Sequence, residues 1–324
     1  MPNFTWSTRV LTLAVGASLI AAVRPFDHAP STVLQSDGAR PDRAVTQSTP
    51  QSAADELLAA DRAYSAASAT VDQVSGISAM FSDRIIMPLP TGKFAYTSTD
   101  AKAAMLAAPA GATAKAEWTP VRVGVSADGL HGFTFGFMIV RNADGSTTPV
   151  KYMTYWIKEQ GTWKAAAYKR RRAEQAATPT MMPPALPARM VPATRDAAIV
   201  ATHYRSIVAA EQSFSDVSQK IGLGLAFQRM GSSDAVNMGP PNEPWFVVGA
   251  DAIGRSVAGP SKLEEPSPVY WGADTALVAS SGDLGITFGV IRLHKPPTPN
   301  APGAPFFTIW HRANANAPWR YIAE

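Results

Sequence analysis

Two stretches decide how this chain folds. The first is Gly132-Phe133-Thr134-Phe135-Gly136 with Tyr152-Met153-Thr154-Tyr155-Trp156 and Gly161-Thr162-Trp163, preceded by Trp118. The second is Gly285-Ile286-Thr287-Phe288-Gly289 with Phe307-Thr308-Ile309-Trp310 and Trp319, preceded by Trp271. Alternating β-branched and aromatic residues, broken by Asp128-Gly129, Asp144-Gly145 and Gln160-Gly161, read as antiparallel strands joined by hairpins. The spacing predicts strands over residues 116–126, 132–141, 149–158 and 163–170. Upstream, Leu57, Ala60, Tyr64 and Ala67 recur at helical spacing, in a helix over residues 52–65 capped by Ser52 or Asp55. Short helices are expected over 74–81 and 101–106, the latter with Thr99 as its cap, and a short strand over 85–87. Helices followed by a long meander give an α+β class.

The second half repeats these landmarks. Leu57-Leu58-Ala59-Ala60-Asp61 corresponds to Ile207-Val208-Ala209-Ala210-Glu211, 150 positions on, and Tyr64 to Phe214. Asp83, Met87 and Asp100 correspond to Asp234, Met238 and Asp251 at 151, Trp118 and Gly132 to Trp271 and Gly285 at 153, and Trp156 to Trp310 at 154. So slow a drift is what a duplicated domain with small loop insertions produces. The chain divides into a signal peptide or anchor (1–24), a disordered spacer (25–51), a first domain (52–172), a Pro-rich linker (173–196) and a second domain (197–324).

The helix Leu57-Leu58-Ala59-Ala60-Asp61-Arg62-Ala63-Tyr64, the Trp-opened strand, the Gly-x-Thr-x-Gly strand and the Tyr-x-Thr-x-Trp strand together resemble the SnoaL-like, domain-of-unknown-function branch of the nuclear transport factor 2-like superfamily. The resemblance covers roughly 53–172 and 198–323 and departs from the pattern in the second copy, where Phe306 and Ile309 replace the two tyrosines and a Pro-rich insertion runs from Pro296 to Pro305. It implies two cones, each a curved antiparallel sheet wrapped around N-terminal helices with a cavity at its open end. Family members include isomerases, cyclases, dehydratases, small-molecule binders and dimerisation modules, so fold alone leaves function open.

The chain has 324 residues, 46% hydrophobic and 17% charged, with a net charge of +4 and no cysteine. Disulfides, thiolate metal sites and a cysteine nucleophile are thereby excluded. The charge is too small and scattered for nucleic-acid binding. The one basic run, Lys169 to Arg172, reads as a solvated strand end rather than a phosphate or lipid patch. Arg9 followed by an apolar run from Val10 to Val23 reads as a signal for export to the periplasm or medium. An uncleaved inner-membrane anchor is the alternative, and contact with a membrane is expected only through that segment.

No metal-ligand spacing, phosphate loop or nucleophile elbow is present, and no metal or cofactor is expected. Acid–base chemistry in such a cone needs a cavity acid and an oxyanion donor. Asp83, Asp234 and Tyr155 are the catalytic candidates, although aspartates that start strands and a packed strand tyrosine explain them more simply. Trp118, Phe133, Phe135, Met153, Tyr155, Trp271, Phe307 and His311 are the pocket candidates. Which sheet face lines the cavity stays open. The expected role is binding of a small apolar molecule, or a structural pseudo-dimer in which the two domains pair with each other without catalysis. The alternative is an isomerase, cyclase or dehydratase acting on a small cyclic substrate.

Overall fold

The helix that opens the first half begins at Pro50, two residues before the expected boundary. In the computed structural model, which describes residues 48–108, 112–293 and 303–324, α1 (Pro50–Ser68) is capped by Thr49, and Ser52 completes the capping box as the third helical residue. The expected signal or anchor segment, nearly all of the spacer, His28, His294 and most of the Pro-rich insertion lie outside the described residues. Among the described residues, no helix is long and apolar enough to cross a membrane.

Asp72 caps α2 (Gln73–Ser78) and Thr97 caps α3 (Ser98–Leu106), each two residues before the cap or start predicted. The strands are β1 (Phe81–Pro88), β2 (Phe94–Ala95), β3 (Lys115–Val125), β4 (His131–Arg141), β5 (Thr147–Glu159) and β6 (Thr162–Arg172), in the sheet order β2-β1-β6-β5-β4-β3. The meander is antiparallel as expected, but β1 pairs with β6 in parallel. Gly129, Gly145 and Gly161 turn the three hairpins at positive φ.

The second half has α4 (Ala197–Ile221), α5 (Leu223–Met230), β7 (Gly231–Asn237), β8 (Val247–Val248), α6 (Ala250–Ala258), β9 (Val269–Tyr270), β10 (Ala273–Val278), β11 (Leu284–Leu293), β12 (Ala304–His311) and β13 (Arg320–Ala323). Its sheet runs β10-β11-β12-β13-β7-β8, and β13 pairs with β7 in parallel as β6 does with β1. The protein is thus mixed α+β, with two sheets and six helices among the described residues. Gly222, at φ 108°, breaks α4 from α5 where a Cβ would lie 2.3 Å from the Leu263 carbonyl oxygen.

Each sheet buries both faces. Toward the helices, the first half packs Leu57, Ile77, Trp118, Met138, Tyr152, Trp156 and Tyr168. The second packs Ile207, Phe214, Ile253, Trp271, Trp310 and Tyr321. A third core joins the opposite faces of the two sheets: Phe133, Phe135, Met153 and Tyr155 lie with Ile286, Phe288, Phe307 and Ile309. The segment between the halves is extended and bonded to the first sheet. Met182 N donates to Val121 O, Ala185 N to Val123 O and Val191 N to Ala127 O, so this segment covers the open edge of β3.

Candidate functional site

The residues that face inward from the helices are not all apolar. The buried stripe of α1 is Ala54, Leu57, Leu58, Asp61, Ser65 and Ser68, whereas Ala60 and Tyr64 are half-buried and Ala67 is exposed. Asp61 therefore points into the core. Its carboxylate accepts from Trp118 Nε1 at 2.6 Å and from the Tyr152 hydroxyl at 3.0 Å, and the Thr134 hydroxyl adds a third donor. Thr134 Oγ1 in turn accepts from Trp156 Nε1 at 2.8 Å. Ser65 Oγ, one turn on, bonds both the amide and the carbonyl of Trp118 at 2.7 Å.

A matching network stands in the second half at positions 150 to 154 residues on. Glu211 is fully buried and accepts from Trp271 Nε1 at 2.8 Å, from Trp310 Nε1 at 3.1 Å and from the Thr287 hydroxyl. Ser215 Oγ receives the Trp271 amide at 3.1 Å. Phe306 here replaces Tyr152 and brings no hydroxyl; the glutamate, one methylene longer than Asp61, takes its bonds from the Thr and Trp of the strands instead. Burial lifts the carboxyls of Asp61 and Glu211 above their ordinary values, and the surrounding donors oppose that rise without cancelling it.

This assigns the Gly-x-Thr-x-Gly motif a packing role. A Cβ on Gly132 would lie 2.5 Å from Leu57 Cδ2, and one on Gly285 would lie 2.5 Å from Ile207 Cδ1. The second glycines admit the neighbouring edge strand, since a Cβ would sit 2.0 Å from Thr119 O at Gly136 and 1.9 Å from Gly272 O at Gly289. The threonine between them relays a strand tryptophan to the helix acid. Tyr64 stacks on Trp156 in the first half with ring centroids 5.9 Å apart. Phe214 meets Trp271 at 5.2 Å and Tyr321 at 5.6 Å in the second. Large side chains pack the space between helices and sheet in each half.

The residues nominated from the sequence do not share one pocket, because strand alternation sends them to two different faces. Trp118 and Trp271 face the helices and hold the two acids. Phe133, Phe135, Met153, Tyr155 and Phe307 lie in the core between the sheets. Tyr155 is fully buried there, its hydroxyl 3.0 Å from His131 Nδ1, and burial raises its pKa well above the ordinary value. Asp83 is exposed on β1. Asp234 is half-exposed and pairs with the guanidinium of the buried Arg122, which also donates to Asp234 O at 2.5 Å and Pro183 O at 3.0 Å. Burial pushes Asp234 upward, but bonds from Ser232 and Arg122 outweigh it and leave the carboxyl below its usual range. His311 lines a crevice with Phe133, Ala185 and Asp283, and burial lowers its pKa against the pull of Asp234.

Between the sheets, cations of the first half reach carbonyls of the second. Lys151 Nζ donates to Met238 O and to Trp245 O at 2.9 Å, Lys169 Nζ to Phe307 O at 3.2 Å, and Arg171 to Gly239 O. Phe246 packs on Phe135 and Phe137 with centroids 4.9 and 5.3 Å away. The hairpin turns also dock: Asp128 Oδ2 accepts from Ser280 Oγ at 2.8 Å and Ser281 N at 3.2 Å, while Asp283 accepts from Ala127 N at 2.9 Å. The basic run predicted to be solvated is therefore divided along its strand. Lys169 and Arg171 bond the other half and Arg170 bonds Gln73 in its own half, while Arg171 and Arg172 are exposed as expected.

No protein-family profile and no curated protein matches the chain. Solved structures do. A ketosteroid isomerase-like protein from Erwinia carotovora atroseptica is 18% identical, with 36% of this chain and 97% of that one covered and a TM-score of 0.30. An NTF-2 like protein of unknown function from Shewanella oneidensis is 11% identical, with 37% and 98% covered and a TM-score of 0.28. An NTF2-like protein with a cystatin-like fold from Novosphingobium aromaticivorans is 13% identical, with 39% and 84% covered and a TM-score of 0.30. Each of these solved structures is covered almost in full, by little more than a third of this chain.

Proposed function

We propose that the chain is a tandem pair of nuclear transport factor 2-like cones that works as a non-catalytic, intramolecular pseudo-dimer in an exported protein. The cones span 52–172 and 197–324, the segment 173–196 joins them, and residues 1–24 direct export. The observation that carries this reading is the state of the two buried acids. Each is saturated by donors of its own half, within an interior filled by tryptophan, tyrosine and phenylalanine. A general acid–base site needs a titratable group within reach of a substrate, and these carboxyls reach only protein. Tyr155 and Asp83, the pair an isomerase or dehydratase would have used, lie in the inter-sheet core and on an exposed strand position.

The shared inter-sheet core supports pairing, because neither sheet could leave Phe135, Phe288 and Phe307 in water without a large apolar patch. The test is equilibrium denaturation of the full chain, monitored by amide hydrogen exchange in each half, with sedimentation to establish the monomer. One cooperative transition for both halves is the expected result, and Phe135→Asp should split it in two. Independent unfolding of the halves in the unaltered chain would overturn the pseudo-dimer.

A further inference from the structure

A cleft of about 540 Å³ opens where the two halves meet, at the ends of β1 and β6 on one side and of β7, β11 and β12 on the other. Its size lies in the range of small-molecule sites, roughly 300–1,000 Å³. Met87, Leu89, Met105, Phe227, Phe306 and Phe307 supply the apolar wall. The charged groups on it are Lys169, Arg170 and Arg171 against the single carboxylate of Glu324. We propose that this cleft binds a small amphipathic carboxylate, with its tail along the methionine and phenylalanine wall and its headgroup on Lys169.

Three observations favour an anion over a neutral apolar guest. The first is the excess of cations, three to one. The second is that Lys169 makes no direct ion pair among the described residues, although the Glu324 carboxylate is near enough to act on it. One of its three N–H groups goes to Phe307 O at 3.2 Å, and its ammonium lies 4.2 Å from the Phe307 ring centroid, so donors remain for a ligand. The third is that Glu324 is held on the second half, accepting from Asn237 at 3.3 Å and Thr308 at 3.4 Å. Burial lowers Lys169 to about 7 despite the nearby Glu324 carboxylate, with Arg171 adding to the decrease. An incoming carboxylate would favour the charged ammonium and so be bound in part by restoring it. The site belongs to neither half alone and rests on the halves being fixed against each other.

The experiment is titration calorimetry of the full chain with octanoate, 1-octanol and octylammonium, alongside Lys169→Met, Lys169→Gln and Ala104→Trp. Octanoate is expected to bind one per chain and more tightly than octanol, with octylammonium weakest. Both Lys169 variants should weaken octanoate by about tenfold or more, the loss of one charge-assisted bond, and leave octanol unchanged. Lys169→Gln retains a donor for Phe307 O, which separates loss of charge from loss of fold. Ala104→Trp, at a half-buried wall position, should abolish binding of octanoate and octanol. Octanol affinity equal to or above that of octanoate, no saturable octanoate binding, undiminished octanoate binding to Lys169→Gln, or octanoate binding that survives Ala104→Trp would each overturn the proposal. A single unfolding transition in the same sample would show that the pairing of the halves stands even if the ligand does not.

Discussion

Replacing Asp61 tests whether the buried acid is a structural acceptor. Asp61→Ala leaves Trp118 Nε1 and the Tyr152 hydroxyl facing the core without their acceptor. An orphaned buried donor costs roughly 1–3 kcal/mol, so two of them give a loss of about 3 kcal/mol, a large share of the 5–15 kcal/mol typical of a folded domain. Asp61→Asn keeps an oxygen for Trp118 and turns an amide to the Tyr152 oxygen, and should cost under about 1 kcal/mol. The two substitutions also differ in pH dependence from the unaltered chain. Burial raises the folded carboxyl above its ordinary value of 3.8. Well below that value the group is protonated folded and unfolded and has no effect. As pH rises through it, the unfolded chain releases its proton first, so stability falls until the raised folded value is passed and then levels. Asp61→Asn should remove that decline. Urea denaturation from pH 4 to pH 8 measures both effects. If Asp61→Asn is as damaging as Asp61→Ala, the ionised group itself is required and the structural account of the acid is wrong.

The glycines of the repeated motif should be equally intolerant in both halves. Gly136→Ala and Gly289→Ala each drive a methyl into a backbone carbonyl and should cost about 2–3 kcal/mol by thermal melting. Burial lowers Lys151 to about 8. The unfolded chain therefore binds the proton more readily between about 8 and the ordinary 10.5, and stability should rise with pH across that window. The rise should be smaller in Lys151→Met when denaturation is compared at the two ends of the window. Arg122→Ala should cost about 3 kcal/mol, because the buried guanidinium ties the linker carbonyl of Pro183 and the Asp234 backbone to the first sheet. Asp234→Asn, whose carboxylate is 54% exposed, should cost under about 1 kcal/mol by the same assay. A reversed order would show that the exposed partner governs the pair.

Much of the fold could be read from the chain because its landmarks are large. Trp118 and Trp271, and Gly132 and Gly285, sit where packing allows little else, so the strands came out within two residues at nearly every end in the first half. The buried acids were in view yet unread. Asp61 and Glu211 stood in the repeated stretch, but an acid in an alanine-rich helix looks like surface charge. The available signal was the 57, 61, 65, 68 spacing of the stripe, with an acid at the same step in both halves. Sheet facing was illegible, because Tyr152 and Trp156 on one side and Met153 and Tyr155 on the other are equally apolar. Arg122 was hidden by the irregularity between Pro120 and Arg122 in the β3–β4 register, which shifts the face on which the residues after it fall.

The side-chain bonds to oxygen that cations make between the sheets, as named above for the described residues, run in one direction. Arg122, Lys151, Lys169 and Arg171 all belong to the first half, and the oxygens of Asp234, Met238, Trp245, Phe307 and Gly239 that receive them all belong to the second. A two-fold dimer of identical subunits must present one surface to its own image, so every donor recurs on both sides of the axis. Pairing two first halves in that way would set Lys151 and Arg171 against their own copies with no second-half carbonyls to receive them. The contact is thus a plug and a socket, and a lone first half should be unable to replace the second half with another copy of itself.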